Sequence, residues 1–182
     1  MMDALHLLAG LESNDELHEA RLIILLYAFR KADDFGEIEG LTKLAKLDFL
    51  LRYPVMLSRA LNAKGKSDRA IQIEDHERTS VESEMVRYRF GPWDHRYRRF
   101  LNSLVGKGLV DIHVEGRKVV LRLTEQGVEV AQQLENESNF HAYVKRATVL
   151  KRHFDMTATN LMNFIYKTFP EILSLRSNQP IQ

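Results

Sequence analysis

The stretch "RYRRFLNSLVGKGLVDIHVEGRKVVLRLTEQG", residues 96–127, switches hydrophobic period twice. Phe100, Leu101, Leu104 and Val105 recur at helical spacing, and Gly106 or Gly108 can end that helix in a left-handed conformation. From Leu109 the period becomes two. Val110, Ile112 and Val114 alternate with Asp111, His113 and Glu115, which predicts a strand with one buried and one wet face. Gly116 supplies a turn, and Val119, Leu121 and Leu123 alternate with Val120 and Arg122 on the return, making a β-hairpin. Thr124 then stands as the N-cap of another helix, with Glu125 in its first turn and Val128, Ala131 and Leu134 facing inward.

Upstream, "SNDELHEARLIILLYAFRKADDFG" predicts a helix capped by Ser13 or Asn14, acidic in its first turn and closed by Arg30 and Lys31, as the helix dipole favours. Its apolar surface is so wide that it must be buried on several sides. "LTKLAKLDFLLRY" predicts a second helix, and Pro54 suits the first turn of a third, "PVMLSRAL", where its missing N–H costs little. Residues 62–84 lose periodicity and gain Lys, Glu, Asp, Ser and Gly, so a long mobile connection is expected. Downstream, "NFHAYVKRATVLKRHF" and "TATNLMNFIYKTF" predict two more helices, the latter stopped by Pro170.

Helix, helix, basic helix, hairpin, helix is the order of a winged helix. The expected fold is mainly α with a small β-hairpin: a winged helix-turn-helix with additional N- and C-terminal helices. The expected division is a winged-helix domain over 1–136, containing the mobile loop near 62–84, and a C-terminal helical extension over 137–182.

Composition narrows the function classes. A hydrophobic share of 45% and a charged share of 28% describe a globular chain. No apolar run approaches the roughly 18 residues of a membrane span. "MMDALHLLAG" carries an acid where a secretion signal has basic residues, and the expected location is cytoplasmic. Cysteine is absent, which excludes disulfides, thiolate catalysis and cysteine metal sites. The seven histidines are scattered with no metal-binding spacing. "EDHE" at 74–77 reads as solvated charge rather than a cation site, and "VGKG" lacks the upstream glycine and following Ser/Thr of a phosphate loop. Asp111, His113 and Glu115 form the one acid–base trio of note, on the wet face of a strand. The expectation is a chain that is not an enzyme and needs no metal or cofactor.

The formal charge of +1 hides asymmetry. Residues 1–50 hold ten acids against five bases, whereas residues 86–118 hold eight bases against three acids. The basic centre admits three readings: a groove-reading helix for DNA, a docking face for protein, or a solvated helix whose charge is neutralised by the acidic N-terminal third. The candidate DNA or partner contacts are Arg87, Arg89, Arg96, Arg99, Lys107, Arg117 and Lys118. Arginine suits either DNA task because its planar fork holds guanine or phosphate with two bonds. Trp93, Tyr97 and Phe169 are the candidate interface anchors.

Three segments, "LTKLAKLDFLLRYPVMLSRAL", "VESEMVRYRFGPWDHRYRRFLNSLVGKGLV" and "TNLMNFIYKTFPEIL", carry a family likeness. From about Leu17 to Leu173 the chain resembles the middle component of bacterial ABC-three-component systems, including the Lamassu group of anti-phage defence operons. The resemblance implies a winged-helix accessory subunit that bridges an SMC-like coiled-coil ATPase and an effector subunit, with no catalytic residues to carry over. It leaves open contact with double-stranded DNA held by the ATPase, and a homodimer. The competing expectation is a free-standing winged-helix transcriptional regulator, a homodimer that reads an operator. A hydrolase subunit using Glu74 and His76 is a third.

Overall fold

The computed structural model of the protein describes residues 15–31, 35–67, 69, 71, 73, 85–88 and 91–181. Helix α1 (Asp15–Ala28) leads to the short strand β1 (Glu37–Glu39), and α2 (Leu41–Arg52) and α3 (Pro54–Ala63) follow. Strands β2 (Val86–Tyr88) and β3 (Gly91–Trp93) precede α4 (Tyr97–Gly106). Then come β4 (Val110–Glu115), β5 (Lys118–Leu123), α5 (Glu125–Asn136), a 3-10 turn (Ser138–Phe140), α6 (His141–Phe154), α7 (Ala158–Thr168) and α8 (Pro170–Ser174). The protein is mainly helical with small antiparallel sheets.

Burial explains α1. Leu22, Ile23, Ile24, Leu25 and Leu26 are all buried, because α5 and α6 pack along the helix while α4 and β5 cover it elsewhere. At its end the Arg30 guanidinium donates to the Tyr27 carbonyl at 3.0 Å, alongside the Arg30 backbone amide at 3.2 Å. The expected cap at Ser13 or Asn14 lies outside the described residues. Leu47, Phe49, Leu50 and Leu51 of α2 join the same apolar cluster, as do Leu150 and Phe154 of α6 and Leu161 and Ile165 of α7. Most of the expected loop at 62–84 lies outside the described residues; α3 itself runs to Ala63, and Ile71 packs against the core.

The hairpin forms where the sequence placed it, but it belongs to a larger sheet. Strand order is β1-β5-β4, with Ile38 opposite Leu121 and Ile112 opposite Leu121 on the other side. Sequence alone did not reveal β1 or β3, each only three residues long, whereas a strand before Pro92 containing Arg87 was among its readings and is present as β2. One expectation is corrected. Val110 is fully buried, but Ile112 and Val114 are 41% and 68% exposed, so the apolar face of β4 runs on past the core. Pro170 does follow the end of α7, yet it also opens α8 at the first helical position.

Two glycines fix the local geometry. Gly108, at φ +69°, ends α4: its own amide donates to the Val105 carbonyl at 2.9 Å and the Leu109 amide to the Leu104 carbonyl at 3.0 Å. Gly127 sits where α5 crosses the Leu109 carbonyl, and a Cβ there would lie 2.0 Å from that oxygen. Thr124 caps α5 as expected, its hydroxyl accepting from the Gly127 amide at 3.0 Å.

Candidate assembly interface

The basic stretch is held by a buried charge network with Asp48 at its centre. Asp48 lies in a run of leucines on α2 and is wholly buried, so its carboxylate requires partners. Arg21 of α1 donates from Nε to Oδ1 at 2.8 Å, Arg52 from Nε to Oδ2 at 2.9 Å, and the Tyr97 hydroxyl to Oδ2 at 2.7 Å. Arg52 also reaches Asp94 Oδ2 at 2.8 Å. Asp94 in turn accepts from the Arg96 backbone amide at 2.9 Å and from its Nε at 3.0 Å. The network ties α1 and α2 to the residues that open α4.

Burial works against ionisation of both acids, but Arg21 and Arg52 overcome it and hold Asp48 at about 2. Asp94 is likewise pushed down despite burial, chiefly by its hydrogen bond from Arg96 and the charge of Arg52. Burial and the Asp48 charge raise the Tyr97 phenol far above its ordinary range, so it stays a donor. Lys46, two residues before Asp48 on α2, is the contrasting case. Its Nζ donates to the Thr42 carbonyl at 3.3 Å, and burial lowers it to about 8.

Each candidate contact residue can now be placed. Arg87 lies on β2 and donates its guanidinium to the Leu175 carbonyl, while its backbone pairs with Gln179 and Asn178; it anchors the C-terminal segment. Arg89 lies outside the described residues. Arg96 is folded back on Asp94. Arg99 and Lys107, at the two ends of α4, reach Asp15 at 2.7 Å and Glu19 at 2.6 Å on α1. Lys118 reaches Glu39 at 2.7 Å. Arg98 and Arg117 are exposed. The acids of the N-terminal third therefore meet much of the basic centre inside the same chain.

The anchors divide as well. Trp93 is half-buried, its ring edge-on to Tyr97 at 5.3 Å between centroids. Tyr97 and Phe169 are 1% and 0% exposed, which corrects their expected role: both are spent in the chain's own core, Tyr97 on Asp48 and Phe169 against Phe49. The surface that does remain apolar was not among the candidates. Val105 of α4 is 42% exposed and Ile112 and Val114 of β4 are exposed too, all within the helix–hairpin unit, with Val55 and Leu173 exposed elsewhere. Sequence reasoning missed Arg21, Asp48, Arg52 and Asp94 too; for the three helical residues the signal available was charge interrupting apolar runs.

Among the described residues no group of three metal-ligating side chains converges. His113 and Glu115 do meet, at 3.0 Å, but on the exposed strand face. No helix among the described residues is long and apolar enough to cross a membrane.

Over residues 38–165 the sequence matches the family described as "ABC-three component (ABC-3C) system Middle Component 4". The chain belongs to the Middle Component 4 family. Its matched region begins in β1 and ends within α7, so it takes in the Asp48–Arg52–Asp94 network, α4 and the whole hairpin. Neither curated proteins nor solved structures yielded a match. Membership makes this Middle Component 4 protein a component of an ABC-3C system.

Proposed function

We propose that this Middle Component 4 chain is a non-catalytic winged-helix subunit of a bacterial anti-phage ABC-3C assembly, bridging an SMC-like ATPase and an effector. DNA held by the ATPase is a secondary contact. The element order α1, β1, α2, then α4, β4, β5, with the sheet order β1-β5-β4, supports the winged-helix reading. One observation carries the choice of protein over DNA as the main partner. Arg99, Lys107 and Lys118 of the helix–hairpin unit are met by Asp15, Glu19 and Glu39, whereas Val105, Ile112 and Val114 are left exposed. A DNA-reading face gains its affinity from cations free to displace counterions, and exposed apolar side chains contribute little there. At a protein interface the same apolar side chains are the productive feature.

Exposed ion pairs are weak, on the order of 0–1 kcal/mol each, so Arg99 remains able to exchange Asp15 for a phosphate. That keeps the free-standing regulator as the second reading, with Arg98 and Arg117 as its first contacts. Co-expression with the ATPase encoded in the same operon separates the two. A complex that survives gel filtration, together with weak DNA binding by the isolated chain, supports the assembly role. A chain that elutes as a lone dimer and binds an operator at nanomolar concentration, with a steep salt slope, overturns it.

A further inference from the structure

Strand β4 is an edge: among the described residues it pairs on one side, with β5. The register shows which of its backbone groups face outward. The Thr124 amide donates to the Leu109 carbonyl at 3.1 Å, which makes Leu109–Thr124 a hydrogen-bonded pair. In an antiparallel ladder such pairs alternate, so Asp111–Arg122, His113–Val120 and Glu115–Lys118 also turn their N–H and C=O groups toward β5. Ile112 and Val114 lie between them and direct theirs to the open edge. These are the same two residues whose apolar side chains are exposed. An edge strand with an apolar face is a template for another strand, and proteins ordinarily blunt one with a bulge, proline or lysine; β4 has neither proline nor lysine.

Charge specifies the occupant. On the opposite face of the sheet Glu37 and Glu39 of β1 are met by Arg122 and Lys118 of β5, at 3.3 and 2.7 Å. Asp111 stands across from Arg122 and Glu115 across from Lys118. The sign thus runs acidic, basic, acidic from β1 to β4, and a strand laid beside β4 continues the series if it is basic. Unlike charges directly opposite stabilise a strand pair, and like charges oppose it.

We propose that the β4 edge binds an extended segment of another chain, with a basic–apolar–any–apolar–basic run lying alongside Asp111 to Glu115. The inference rests on the assembly role proposed above, and names how one partner is held. A second copy in the register centred on His113 is a poor occupant, because two-fold antiparallel pairing there sets Asp111 against Glu115 twice. The recognition is strand addition: main-chain bonds supply affinity and alternate side chains supply choice.

The test uses the full chain and a labelled synthetic nonapeptide with Lys-Val-Thr-Val-Arg at its centre, followed by fluorescence anisotropy. Saturable binding is expected, at least tenfold weaker for a peptide with Glu and Asp in place of Lys and Arg. Asp111→Lys with Glu115→Lys should reverse that preference. Ile112→Pro removes an outward N–H without removing a bond to β5, and should abolish binding while the circular dichroism melt stays cooperative. If Ile112→Pro is unfolded, Val114→Pro, which removes the other outward N–H and no bond to β5, gives the same reading. No binding, equal binding of both peptides, or full binding by a folded Ile112→Pro overturns the proposal. The wild-type chain still co-purifying with its operon's ATPase in that event leaves the assembly role standing; failure to co-purify is what removes it.

Discussion

Asp48 is the residue on which the orientation of α4 depends, since it joins Arg21, Arg52 and Tyr97 directly and Asp94 through Arg52. Replacing it leaves two arginines buried without their shared counter-charge. Asp48→Asn should therefore cost about 3–5 kcal/mol, read from urea unfolding. The pH dependence has a defined sign. The folded-state value of Asp48 is depressed from 3.8 to about 2, so its contribution is present above the upper value and is lost as pH falls through the lower one. That contribution is about 2 kcal/mol, and the urea midpoint should drop across this interval less steeply in Asp48→Asn than in the parent. Lys46 behaves in the opposite sense. Its value falls from 10.5 to about 8 through burial, so the unfolded chain binds more protons in that window and stability rises with pH across it. Lys46→Met should remove that rise and stabilise the chain at neutral pH by about 3 kcal/mol. Little of this could be read from sequence. Asp48 and Arg52 are one helical turn apart, but Arg21 and Asp94 are brought to them only by the packing of α1 and α4.

At the level of elements, the helix–hairpin–helix run was legible because its period changes are abrupt and its punctuation is specific. Gly108 and Thr124 stand where a helix ends and the next begins, and both act there as their chemistry requires. Gly127 is a further constraint: a methyl group would collide with the Leu109 carbonyl. Gly127→Ala should destabilise by about 2–3 kcal/mol, visible as a lowered midpoint, even though alanine is the better helix former. Strand alternation misled at the far end of the hairpin. Alternation shows that one face is apolar, but whether a layer covers that face depends on how far the helices packed on the sheet reach, and Ile112 and Val114 stay exposed. The pairing of β2 with β3 was not legible because these three-residue strands are held by the C-terminal segment, through Arg87 with Gln179 and Met85 with Ile181.

For the whole molecule, the charge asymmetry of the sequence is largely settled within the fold. Acids of α1 and β1 meet cations of α4 and β5, which leaves an apolar edge beside a mixed-charge rim. This arrangement favours a partner that buries Val105, Ile112 and Val114 over one that collects cations, and membership of the Middle Component 4 family supplies the setting in which such a partner exists. Reversing charge with Arg98→Glu and Arg117→Glu should weaken DNA binding by the assembled complex without dissolving the complex; dissociation on gel filtration would assign those arginines to protein contact instead. The central claim is that α4 and the hairpin form the face on which the ATPase assembly is built. Amide hydrogen exchange tests it most directly, comparing the free chain with its complex with the operon's ATPase. Slowed exchange concentrated between residues 97 and 118 is the expected result, and unchanged exchange there with protection elsewhere would contradict it.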